Sequence, residues 1–282
     1  MEAAGMAGGK AGGKAGGKAV VFLGPTLGRN EAAALCPSAL IRPPARKGDL
    51  ISAMLYDDVR VVGLVDGESA QPLPVWHREI LCVMEAGVIV LGSSSVGALC
   101  AAELHPWGMR GVGGVFRAYA DGRLGGDDEV ALAYAESDGR YQKSSEPMVN
   151  IRASCRAAAS AGVVDSGVAD RAIALAEQLC YPERSYRRIL QLLEGEGAPP
   201  EQTVALRAHL AEHAVDVKGD DARELLRLLE TGAPLGADTR SAPVPWRSPR
   251  CSAAAGRLSR WLRTPTGCAP RRRTVRPPTR WR

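Results

Sequence analysis

Between residues 19 and about 134, short unbroken runs of apolar residues alternate with stretches whose apolar residues recur every three or four positions. Ala19-Val20-Val21-Phe22-Leu23 has no polar alternation, the pattern of a strand buried on both faces, and it stops at Gly24-Pro25-Thr26. Ser38 to Arg42 predicts a short strand closed by Pro43-Pro44, and Gly48 to Leu55 a short helix. Val61 to Val65 predicts a further strand, ending at Asp66-Gly67. Pro74 suits the first position of a helix that aligns Trp76, Ile80, Val83 and Met84 and closes at Gly87. Val88 to Leu91 predicts another strand, followed by Gly92-Ser93-Ser94-Ser95 and a helix from Val96 to Leu104. Strands and helices alternating at this spacing predict a parallel, Rossmann-like α/β sheet with crossover helices.

From about Pro147 the period becomes helical throughout. Tyr186, Ile189, Leu190 and Leu193 form one apolar stripe, and 168–179, 201–213 and 221–230 read similarly. The expected organisation is a glycine–lysine leader (1–18), an α/β core (19–146), a helical region (147–231) and an arginine- and proline-rich tail (232–282). Three Ala-Gly-Gly-Lys copies without apolar anchors predict an unstructured leader, and the tail shows neither period.

Charge is divided along the chain. The formal net charge is +5, yet twelve arginines and no acidic residue follow Thr239. Residues 19–239 hold 21 basic and 30 acidic side chains, a net charge of about −9. A basic tail dotted with Trp246, Trp261 and Trp281 offers a surface to nucleic acid, but the acidic core offers none. Nucleic acid is therefore not the expected partner. No apolar run approaches the roughly 18 residues of a membrane span, and Met1 to Lys10 lacks the apolar stretch of a secretion signal. Seven cysteines without a CxxC pair predict reduced thiols in the cytoplasm and no thiolate metal site. Cys82 and Cys100 fall within apolar helices, where a structural thiol is expected.

In an open parallel sheet, ligands bind outside the carboxyl ends of the strands. Three turns should meet there: Gly24-Pro25-Thr26-Leu27, Asp66-Gly67-Glu68 and Gly92-Ser93-Ser94-Ser95. Gly24, Thr26, Asp66 and Ser93 are the candidate ligand-binding residues. Ser94 and Ser95 sit between strand and helix, where free amide groups favour an anion and a hydroxyl can attack or simply cap the helix. Val96 departs from the GxSxG elbow. His77, in the first turn after Pro74, is the candidate base. Asp127-Asp128-Glu129 could hold magnesium, orient a basic group, or form an acidic turn before an edge strand at Val130–Ala133. Glycines 108, 111, 113 and 114 suggest a tight, mobile loop; they miss the GxGxxG register, and GxxxxGK[ST] does not occur, so no nucleotide cofactor is expected.

Several blocks together resemble the TfuA-like family. They are Val21-Phe22-Leu23-Gly24-Pro25-Thr26-Leu27, Pro43-Pro44-Ala45 with Gly48-Asp49, Val75-Trp76-His77-Arg78-Glu79-Ile80-Leu81, Gly92 through Leu99, Ala101-Ala102-Glu103-Leu104, Gly108-Met109 with Gly111-Val112-Gly113, and Asp127 through Leu132. The resemblance covers about 20–152. It departs at Cys100, where an arginine is expected after Gly-Ala-Leu. It implies an accessory to YcaO-type enzymes, which activate a backbone amide oxygen with ATP so that sulfur replaces it. The implied role is sulfur delivery to a ribosomally made peptide, by binding or hydrolysing a donor such as a thiocarboxylated carrier protein. The alternative it implies is a non-catalytic docking module that activates the YcaO-type partner.

Overall fold

A computed structural model describes residues 18–54, 59–68 and 75–232. The leader up to Gly17, Leu55, Pro74 and the arginine-rich end lie outside them. The elements in order are β1 (Lys18–Phe22), α1 (Arg29–Leu35), β2 (Ala39–Arg42), α2 (Asp49–Ala53), β3 (Val59–Leu64), α3 (His77–Glu85), β4 (Ile89–Ser93) and α4 (Val96–Leu104). Then follow β5 (Arg110–Val112), α5 (Gly114–Ala120), β6 (Tyr134–Ser137), β7 (Arg140–Lys143), α6 (Met148–Ser160), α7 (Ser166–Glu177), α8 (Tyr186–Gly195), α9 (Pro200–His213) and α10 (Val217–Thr231).

Strands β1 to β5 form one parallel sheet in the order β2-β1-β3-β4-β5. The chain steps from β1 to β2 in one direction and then builds β3, β4 and β5 in the other. The reversal makes the β1/β3 boundary the topological switch point. Because crossovers are right-handed, it also puts α1 on one face and α2, α3 and α4 on the other. Side chains alternate accordingly. Val20, Phe22, Val62, Leu64 and Val90 pack with Leu50, Ile80, Val83 and Ala101 on the second face. Val21, Leu23 and Leu91 turn to the first.

One helix cannot cover the first face of five strands. The rest is covered by α10, which returns from the end of the described chain and lays Ala222, Leu225 and Leu226 against Val21, Leu91 and Val112. Gly63 in β3 makes room for it: a Cβ there would lie 3.1 Å from Leu225 Cδ2. Helices α6 to α9 bury their own cluster around Ile151, Ile173, Ile189 and Leu206.

The parallel sheet and helical C-terminal region agree with the sequence reading. Three local differences have physical causes. Trp76 stands before α3 rather than on its buried face; its side chain is half exposed under the Lys47 ammonium, 3.4 Å from the ring centroid. The glycine-rich stretch expected to be a loop contains β5 and α5, because Gly111 and Gly113 admit neighbours that any Cβ would displace: the Phe116 ring at 2.0 Å and the Asp221 carboxyl at 2.2 Å. Val130–Ala133 is not an edge strand; β6 and β7 form a separate antiparallel hairpin just after it, and Val130 is buried against Val115 and Val149.

Glu79, 6 % exposed, stabilises the packing of α3 on α2. Its Oε1 accepts from the Leu50 amide at 2.8 Å and the Ile51 amide at 3.2 Å, while Oε2 accepts from Gly48 at 2.8 Å. One carboxylate thus satisfies the open amides of a five-residue helix that cannot stand alone. Glu79→Ala is expected to lower unfolding free energy by roughly 2–3 kcal/mol, since a buried set of charge-assisted bonds is lost. A urea denaturation midpoint equal to that of the parent would remove Glu79 from this role.

Candidate functional site

The three turns meet at the carboxyl edge of the sheet. Asp66, 2 % exposed and just beyond β3, binds the turn after β1: Oδ2 accepts from the Gly24 amide at 2.9 Å and the Thr26 amide at 3.0 Å, and Oδ1 accepts from Thr26 Oγ1 at 2.6 Å. Ala45, in the turn after β2, donates its amide to the Asp66 carbonyl at 2.9 Å. The Gly97 amide at the start of α4 donates to the Val65 carbonyl at 3.2 Å. Gly97 permits this close approach, because a Cβ there would sit 1.8 Å from the Leu64 carbonyl oxygen. Gly24, Thr26 and Asp66 therefore bind one another and form the frame of the edge.

Each of the three serines reaches α10. Ser93 Oγ donates to the Asp221 carbonyl at 3.0 Å and Ser94 Oγ to the Lys218 carbonyl at 2.8 Å; both serines are fully buried. Ser94 has φ of 66°, a left-handed conformation costly for a non-glycine residue and typical of residues forced into a sharp strand-to-helix turn. Ser95 is the N-cap residue of α4, yet its hydroxyl makes no cap bond. It instead accepts a hydrogen bond from Lys218 Nζ at 3.0 Å. Capping, one of the sequence expectations, is thus not what Ser95 does. The amides of Ser95, Gly97 and Ala98 already donate to the carbonyls of Ser93, Val65 and Ser95.

Lys218 is the residue that the sequence reading missed. It is 1 % exposed, and its ammonium also donates to the Val130 carbonyl at 2.7 Å. Burial lowers its pKa from 10.5 to about 8; Asp66, Asp216 and Glu146 pull it back up, and Lys143 pushes it down. Its position is fixed from below. Asn150 Nδ2 donates to Asp216 Oδ1 at 2.9 Å, Asn150 Oδ1 accepts from the Lys218 amide at 3.3 Å, and Asp216 accepts from the Gly219 amide. Glu146, nearby, is itself held above its ordinary carboxyl pKa, mainly by burial. A signal existed in the chain. Lys218, Ala222, Leu225, Leu226 and Leu229 share one stripe of α10, so a lysine opens an otherwise apolar face. Lysine is seldom fully buried, and that placement is informative.

His77 is elsewhere. Its Nε2 meets Glu103 Oε2 on a half-exposed surface, eight residues along α4 from Ser95, about 12 Å of helical rise. Cys100 is buried in α4, where desolvation pushes its thiol up to about 12, as suits an unreactive structural cysteine. The acidic turn orients basic groups of the helical region: Glu129 is bidentate to Arg152, and Asp128 Oδ2 accepts from the buried Arg184 at 2.6 Å. Among the described residues no cluster of three or more His, Cys, Asp or Glu side chains is arranged to hold a metal ion, and no helix is long and apolar enough to cross a membrane.

At the carboxyl edge of the parallel sheet, a serine hydroxyl thus touches a buried lysine whose pKa is lowered, a pair able to exchange a proton. Residues 66–185 match the TfuA-like protein family. The matched span contains Asp66, His77 and Ser93–Ser95, and runs past the sequence blocks into the helical region. Lys218 lies after it, and the Gly24–Thr26 turn before it. No curated protein matches the chain.

Proposed function

We propose that this chain is an accessory protein of YcaO-type backbone thioamidation that releases sulfur from a thiocarboxylated carrier, with Ser95 as nucleophile and Lys218 as base. The TfuA-like match over residues 66–185 supports the pathway. The 3.0 Å contact between Lys218 Nζ and Ser95 Oγ supports the chemistry and carries the reading. A carrier ending in a thiocarboxylate presents an acyl carbon bonded to sulfur. Neutral Lys218 takes the Ser95 hydroxyl proton as Oγ bonds to that carbon. Lys218 passes that proton to the sulfur as the carbon–sulfur bond breaks, so hydrosulfide leaves, a serine ester remains and the lysine is neutral again. Water attacks the ester as Lys218 removes its proton, and the lysine gives that proton to Oγ as the carbon–Oγ bond breaks, which returns serine. Thiocarboxylate plus water becomes carboxylate, hydrosulfide and one proton, with no redox change and no nucleotide consumed. Asp66, Thr26, Gly24 and Ser93 hold the edge on which the acyl group is presented, and proton transfer falls to Lys218 rather than His77.

The test is sulfide release from a thiocarboxylated carrier by the purified full chain. Ser95→Ala is expected to slow release by about 10³-fold, the scale of losing an activated nucleophile. His77→Ala is expected to stay within about twofold of the parent, because an exposed His–Glu pair contributes little. If the chain alone releases no sulfide but strongly stimulates a YcaO-type partner supplied with free sulfide, the docking reading replaces this one.

A further inference from the structure

Helices α5 and α6 lie beside a cavity of about 580 Å³ that the serine–lysine site does not use. Its volume comes from small side chains: Gly114 and Ala118 on α5 and Ala153 on α6. Val115, Val149, Val217 and Leu124 add an apolar floor. The α6 wall is one helix face, because Val149, Arg152, Ala153 and Arg156 stand at i, i+3, i+4 and i+7.

Around this floor the charge is basic, in a core that is otherwise acidic. Arg123, Arg152 and Arg156 line the cavity, and the Arg117 guanidinium approaches Gly114. The neighbouring carboxylates are engaged with two of these. Asp121 pairs with Arg123, and Glu129 and Glu177 pair with Arg152. Arg156 is exposed one turn beyond Arg152 on the same face, where its guanidinium is open to an approaching anion.

We propose that the α5–α6 groove binds an acidic peptide segment of a partner protein, with an apolar side chain on the Val115–Val149 floor and flanking carboxylates on Arg156 and Arg123. Guanidinium forks match carboxylates in geometry, and a groove between helices is a common seat for a peptide. The acidic remainder of residues 19–239 repels such a segment, so charge steers it to this groove. The proposal goes beyond the sulfur-releasing reading and is independent of it, since binding is read without any reaction.

Fluorescence anisotropy of the full chain with a fluorescein-labelled Glu-Leu-Glu-Phe-Glu peptide tests it. A second peptide carries Lys in place of Glu. The arginines after Thr239 contribute equal background binding in every variant, so the differences between variants are what count. Arg156→Glu, at an exposed position, is expected to weaken binding of the acidic peptide by about tenfold or more, as reversal of a steering charge does. Ala153→Trp, which fills the floor, should weaken it similarly while circular dichroism stays unchanged. Equal affinity for the parent and both variants overturns the proposal. So does full displacement of the peptide by an equimolar amount of inorganic phosphate, which would mark a single-anion site.

Discussion

Lys218→Met is expected to abolish sulfide release, by about 10³-fold or more, while leaving the chain folded. In the proposed reaction Lys218, in contact with Ser95 Oγ, takes its proton, and methionine has a similar length without a basic nitrogen. Removing an ammonium that is 1 % exposed also removes its desolvation cost, offset by the donor lost to Ser95 Oγ and the Val130 carbonyl. The melting temperature should therefore stay within about 5 °C of the parent.

The pH dependence follows from the same group. An ammonium cannot accept the serine proton, so single-turnover release by the parent should rise through about pH 8 and then level off. Stability has its own signature. The folded chain favours neutral lysine, with a pKa of about 8 against 10.5 when exposed. Below both values the burial penalty is complete. As pH climbs from 8 towards 10.5 the folded form loses the proton while the unfolded form keeps it, and stability rises. Lys218→Met should lack that rise. A flat rate between pH 6 and 9 in the parent would exclude Lys218 as the base.

Leu225→Ala is expected to cost about 3 kcal/mol of unfolding free energy, within the 2–5 kcal/mol range of fully buried leucines. Leu225 is completely buried, in contact with β3 at Gly63, in the layer that α1 cannot reach. Because Lys218 is two turns away on the same helix, the substitution should also slow sulfide release at temperatures where the chain remains folded. A change in the urea midpoint equivalent to less than about 0.5 kcal/mol would mean that α10 does not close the core.

The chain's own pattern was sufficient for β1 to β4, since unbroken apolar runs such as Ala19–Leu23 and Val61–Val65 suit burial on both faces. Parallel pairing then forces their following turns to one edge, so the meeting of Thr26, Asp66 and Ser93–Ser95 was legible. Lys218 was not, because 123 residues separate it from Ser95 and only packing joins them. His77 suited the right turn by position, but its side chain pairs with Glu103, eight residues along α4 from Ser95. The glycine-rich stretch misled for a related reason: Gly111 and Gly113 serve neighbours, Phe116 and Asp221, rather than a mobile loop.

Hydrophobic period alone determined that this chain builds a parallel sheet followed by helices, because the period of buried side chains is a property of each segment by itself. Which helix would close the sheet, and which side chain would meet Ser95, was decided only in three dimensions. The strand order reverses at β1, leaving a face that α1 cannot cover, and the helix that fills it brings Lys218 to the serine turn.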